Sequence, residues 1–212
     1  MKYEILRENK FNQWVIIHLR YLLGVAFIPS GYTKLVGNRF TQISTDNPIG
    51  YFFEALYQSG FYYNALGLFQ LLASFLLMTQ RLSTLGNLIF CSLTLNICLI
   101  TISLSFKGTW IITSLMLLAS IILLIWDYNK LKPIFSYNTP SIVKTYTDPS
   151  MLWQILGGIY YLLILSFSVF SYSNAMASIV AGSLVILFFA STIYTIIRYR
   201  NLSKNLNKKF NL

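Results

Sequence analysis

Arg20 lies inside an apolar run, Trp14 to Val36, that is long enough to cross a membrane. A cation at that depth costs a few kcal/mol and faces a bundle interior or a polar cavity, not lipid. Arg20, Gly24, Phe27, Gly31 and Lys34 are spaced four, three, four and three apart. At about 100° per residue they share one narrow helix stripe. Two chemistries suit two cations placed this way. One is contact with an anion or a polar cofactor group; the other is a structural ion pair with a carboxylate from elsewhere in the chain. Gly24 and Gly31 on the same stripe read as packing positions that let a second helix approach closely.

The acids decide how Arg20 can be met. Glu4, Glu8, Asp46, Glu54, Asp127 and Asp148 are the whole set, and none stands in the middle of an apolar run. Arg20 is therefore met by a carboxylate reaching in from a span end, by amides of neighbouring spans, by water, or by a ligand. The shortage tilts the reading toward a ligand or polar cavity. Gln70, with Gly67 on its side of the second apolar run, and Asn96, in the third, are the candidate amides. Such amides bond across helices for roughly 0.6–2 kcal/mol. The plain reading is interhelical glue; the functional one places Gln70 and Asn96 in a ligand pocket with Arg20 and Lys34. Asp127 is expected to pair with Arg81 or Lys130, and Glu54 with Lys34 or Arg39.

Other chemistries find little support. A single histidine, His18, makes neither a haem nor a metal site by itself, and no metal site is expected. GxGxxG, phosphate-loop, CxxC and HExxH patterns are absent from the sequence. Cys91 and Cys98 are seven apart on one expected helix, about 10 Å along its axis, which is beyond disulfide reach. They read as small packing residues.

The elements that must position these side chains are long and apolar. Hydrophobic residues make up 56% of the 212 and charged ones 10%, against about 25% charged in a soluble domain. Mean hydropathy is +0.60. Six runs approach the roughly 20 residues a span needs: 14–36, 61–79, 84–105, 110–126, 152–171 and 177–197. Backbone groups in lipid must be satisfied within the element, so the expectation is an all-α, polytopic transmembrane bundle of six spans. The first run is too long for a signal-peptide core and reads as an uncleaved anchor. Between the first two runs, residues 47–59 read as an amphipathic helix on the outer surface, with Asp46 or Asn47 as cap and Pro48 at its first position. Thr109 is the expected cap of the fourth run and Asp148 of the fifth.

The net charge of +10 is explained by topology. With the N-terminus in the cytoplasm, twelve of the 16 Lys and Arg fall on the inner side. Lys34, Arg39 and Lys107 fall at or beyond the outer surface, and Arg20 within the membrane. This follows the positive-inside rule, with both termini cytoplasmic. The basic tail is then a topology signal and a contact for anionic lipid, and nucleic acid is not an expected partner.

The pattern Arg20-x3-Gly24-x2-Phe27-x3-Gly31-x2-Lys34-Leu35 resembles the start of DoxX-family membrane proteins. The stretch LGLFQLLASFLLMTQRLSTLG, with Gly67, Gln70, Arg81 and Gly86, is similar to the second span and following turn of that family. The resemblance implies a four-span core over residues 1–132. To this the chain adds a cytoplasmic linker, 133–150, and a two-span hairpin with a basic tail, 151–212. It implies an inner-membrane accessory subunit of a membrane oxidoreductase, with a redox-protein partner and a quinone or thiol-compound site. A small-molecule or lipid transporter, and a structural or assembly protein without catalysis, are the alternatives.

Overall fold

The computed structural model describes residues 6–135 and 150–170, together with 190, 191, 193, 194 and 197. Seven helices are defined there: α1 Lys10–Leu35, α2 Pro48–Gln58, α3 Phe61–Met78, α4 Ser83–Ser103, α5 Thr109–Trp126, α6 Tyr128–Phe135 and α7 Met151–Phe170. Five of them (α1, α3, α4, α5 and α7) are long and apolar enough to cross a membrane. They correspond to the first five expected spans. Most of the sixth, 177–197, lies outside the described residues, as do Asp148, most of the 133–150 linker and the basic tail.

The bundle has two ends. We call the end where α1 begins near, and the end where it finishes far. Tight turns after α3 and α4 send successive helices back antiparallel. α1 and α3 form the central pair, α4 and α5 close a four-helix ring with them, and α7 packs on the outside of α1 and α3. Two cores follow from this. Leu23, Phe27, Leu77, Phe90 and Leu123 fill the ring, with the Phe27 and Phe90 rings 4.2 Å apart. Tyr21, Ile28, Leu71, Met78, Trp153 and Tyr160 fill the seam with α7. Lipid tails are as apolar as leucine, so these helices are held by close packing and by polar contacts, not by withdrawal from water.

The glycine stripe shows why the packing is close. A methyl group at Gly67 would lie 2.5 Å from the Leu35 nitrogen and 2.6 Å from the Gly31 oxygen. One at Gly24 would lie 2.5 Å from Met78 Cγ. The backbones of α1 and α3 thus touch at Gly31 and Gly67, and Gly24 admits the Met78 side chain.

Two of the described helix starts had an expected cap, and one of them holds it. Asn47 caps α2, its side chain accepting from the Ile49 amide, with Pro48 following at the first position. At α5 the expected cap is displaced. Thr109 is the first helical residue, and Gly108, at φ 79°, precedes it without a side-chain cap. The chain needs a left-handed residue to leave the α4–α5 turn, and glycine adopts it at no steric cost.

Candidate functional site

The polar stripe of α1 divides into two clusters. Arg20 and Lys34 are 14 residues apart, about 21 Å along the helix, and each finds its own partners.

At the near end the Arg20 guanidinium donates to both oxygens of Asp127, at 3.1 and 2.9 Å, and to Gln80 Oε1 at 2.9 Å. Asp127 Oδ2 also accepts from Thr84 Oγ1 at 3.1 Å. Gln80 Nε2 returns to α1, donating to the Ile17 carbonyl at 3.3 Å. Arg20, Asp127 and Gln80 are 4%, 2% and 1% exposed. The cluster draws on α1, the α3–α4 turn, the first turn of α4 and the end of α5, so it ties all four ring helices together at one point. A carboxylate at a helix C-terminus is opposed by the helix dipole. Asp127 holds that position at the end of α5, and Arg20 supplies the compensating charge.

Asp127 thus takes Arg20, where Arg81 or Lys130 was expected. Arg81 is exposed on the turn. The carboxylate that reaches Arg20 comes from a span end, one of the four partners its depth allows. Gln80 has φ 61°, a left-handed conformation that a side-chain-bearing residue adopts at some cost. Glycine would relieve the backbone there, and only a long amide reaches both Arg20 and Ile17. Nothing in the turn's sequence, TQRLST, distinguishes Gln80 from an ordinary exposed polar residue.

At the far end Lys34 is 7% exposed. Its Nζ donates to Gln70 Oε1 at 3.2 Å and to the Ser30 carbonyl at 3.3 Å, and lies 4.2 Å from the centre of the Phe40 ring. Ser30 Oγ also donates to Gln70 Oε1, at 3.4 Å. Outside the bundle, Glu54 on α2 forms a two-pronged ion pair with Arg39, both contacts 2.9 Å. The Arg39 hydrogen bond holds the Glu54 carboxyl below its ordinary range, and Glu54 in turn raises Arg39. Of the two partners open to Glu54, Arg39 takes it.

No single pocket gathers the four candidate ligand residues. Lys34 and Gln70 meet, Arg20 stands at the other end, and Asn96 faces outward, its Nδ2 bonded to Ser92 of its own helix. The buried amide of α4 is Asn87, which donates to the Ser120 carbonyl and accepts from Ser120 Oγ, both at 2.9 Å. Below it Thr101 and Thr113 bond at 2.9 Å. Nine residues separate Asn87 from Asn96, half a turn out of phase at about 100° each. The inward face was marked by the row Gly86, Phe90, Thr94, Cys98 and Thr101, on which Asn87 falls and Asn96 does not. Cys91 and Cys98 are free thiols, and Cys98 Sγ lies 3.4 Å from Ser114 Oγ. Among the described residues no group of three His, Cys, Asp or Glu could hold a metal ion.

Long apolar helices, closely packed through glycine and tied by buried polar contacts, define an integral membrane helix bundle. The DoxX family model matches residues 15–102, and this part of the chain is DoxX-like. The match takes in Arg20, Lys34, Gln70 and Gln80 and ends before Asp127. No curated protein and no solved structure matches the chain.

Proposed function

We propose that this protein is an accessory subunit of a membrane assembly, contributing a rigid four-helix scaffold and not the reacting groups. The observation that carries the reading is the Arg20–Asp127 pair, in which Arg20 Nη2 donates to both carboxylate oxygens, closed further by Gln80 and Thr84. Arg20, a buried cation of the first span, is spent on holding helices together. Its partner of choice, on the DoxX resemblance, is a membrane oxidoreductase that handles quinone or thiol compounds. Six spans with both termini cytoplasmic is the topology that the charge distribution favours. A transporter has less support, because a substrate path along this stripe would have to break the Arg20 cluster.

The test uses cells lacking the chain and a charge-free pair, Arg20→Met with Asp127→Leu. If the scaffold reading holds, quinone-linked thiol oxidation by the membranes falls without the protein. It returns when either the natural chain or the folded double variant is supplied. A double variant that folds and inserts but restores nothing would put Arg20 in the chemistry and reject the scaffold role. Unchanged oxidation in membranes lacking the protein rejects the oxidoreductase assignment.

A further inference from the structure

Lys34 is a buried cation that no carboxylate among the described residues neutralises. Its contacts are the Gln70 amide oxygen, the Ser30 carbonyl and the Phe40 ring, all neutral. Among the described residues no carboxylate lies within ion-pair distance of it. The two acids at its end of the bundle are engaged elsewhere: Glu54 accepts from Arg39 and Gln58, and Asp46 accepts from Ser44. Asp127 is held by Arg20 at the opposite end. Glu4 and Asp148 lie outside the described residues. No Asp or Glu follows Asp148 in the sequence. A buried ammonium in this position is costly unless a negative group joins it.

A second donor stands beside it. Gln70 uses its Oε1 for Lys34 and Ser30, while its Nε2 makes no hydrogen bond among the described residues. The Lys34 ammonium has three N–H groups. Two are given to oxygens, and the third lies on the side of the Phe40 ring. The site therefore offers two donors, one of them cationic, and no acid. Its cover is slight. Phe40 is half exposed and packs on Phe53 of α2, ring centres 5.7 Å apart. The neighbouring Arg39 fastens the same segment to Glu54. Gly37, at φ 72°, begins that segment. Lys107 adds positive charge at this end, while Arg39 is balanced by Glu54.

We propose that Lys34 Nζ and Gln70 Nε2 form a binding site for a singly charged phosphate-type oxyanion, entered from the far surface when the Phe40 ring swings aside. The shared chemistry is a tetrahedral oxyanion, either a lipid phosphodiester or free inorganic phosphate. The site stands independently of the accessory-subunit reading, and either can fail without the other.

The full chain is purified in an uncharged detergent and titrated with two probes. One is short-chain phosphatidylglycerol, with phosphatidylcholine as control; the other is inorganic phosphate against chloride at equal ionic strength. Binding is read by calorimetry and by the thermal midpoint. The natural chain binds at least one probe and unfolds at a higher temperature with it. A response to phosphatidylglycerol alone assigns the lipid source, and a response to phosphate assigns the free anion. Lys34→Met weakens binding about tenfold or more, as expected for loss of a charge-assisted hydrogen bond. Phe40→Ala, which removes the cover and the ring's competing contact with the ammonium, tightens it. Equal binding by the natural chain and a folded Lys34→Met overturns the proposal. So does the absence of any response in both the natural chain and Phe40→Ala. Should Lys34→Met not fold, Phe40→Ala decides, and unchanged affinity rejects the site.

Discussion

Arg20 and Asp127 stand 107 positions apart in the chain and meet through two hydrogen bonds of 3.1 and 2.9 Å. The pair is almost wholly buried, which makes it a poor source of net stability but a severe one to break. Two charges taken from water are repaid only when both are present and well bonded. Removing one leaves the other stranded.

Asp127→Leu is therefore expected to destabilise the folded protein by about 3–5 kcal/mol, and Arg20→Met with Asp127→Leu to recover most of that loss. Reversible unfolding in mixed micelles measures both. A double variant no more stable than Asp127→Leu would show that the pair matters for something other than mutual neutralisation.

Asn87 and Asn96 should respond very unequally to the same change. Asn87→Ala removes two bonds to Ser120 and leaves buried polar atoms behind, for a loss of about 1–3 kcal/mol. Asn96→Ala removes one bond within its own exposed turn and should fall within about 0.5 kcal/mol of the natural chain. The same unfolding assay separates them.

Gly157 and Gly158 are adjacent and differ completely in surroundings. A methyl group on Gly157 would collide with the Met78 carbonyl and approach Tyr21 Cε1 at 2.8 Å, while one on Gly158 meets nothing within 4 Å. Gly157→Ala is expected to loosen α7 from α1 and α3, and Gly158→Ala to leave it in place. Crosslinking between cysteines introduced at Leu71 and Ile164, which face the same seam, reports the difference. Equal crosslinking in both variants would rule out close backbone approach at Gly157.

The Arg39–Glu54 latch should open in acid. The carboxyl of Glu54 is held below its ordinary value of 4.5, first by its hydrogen bond from Arg39. A depressed carboxylate contributes fully above the ordinary value and is lost as pH falls through the lower, folded one. Arg39 stays charged throughout. A spin label on Gln42→Cys is expected to be restrained at neutral pH and to gain mobility in that acid range. Raised salt should shift it the same way more weakly, because the pair is exposed. With Glu54→Gln added, the label should be mobile at every pH; a label that ignores both pH and Glu54→Gln would show that the pair restrains nothing.

Much of the fold was legible because a membrane allows few solutions. Five runs read as spans became the five long helices, and Asn47 with Pro48 marked α2 through simple cap chemistry. The spacing of Arg20, Gly24, Phe27, Gly31 and Lys34 identified a buried face correctly. A stripe, however, says which side is inward and not what lies across from it. Arg20 found its carboxylate at the end of α5, and that depended on how far the helices slide past one another, which periodicity does not encode. Gln80 was hidden because its role comes from a left-handed turn that aims its side chain back into the bundle. Asn96 drew attention by its depth along the run, whereas the face was the deciding variable, and the small-residue row through Asn87 carried that information.

The span of chain between Arg20 and Asp127 also sets an order of events during synthesis. Chains emerge at about 5–20 residues per second, so Arg20 reaches the membrane roughly 5–20 s before its carboxylate exists. During that interval the first helix carries an unneutralised cation and has reason to linger beside the insertion machinery or the lipid headgroups. The fourth span, by delivering Asp127, releases it. Assembly of the four-helix ring is thus timed by its last member, and a chain halted before residue 127 should be held as an incomplete bundle awaiting one charge.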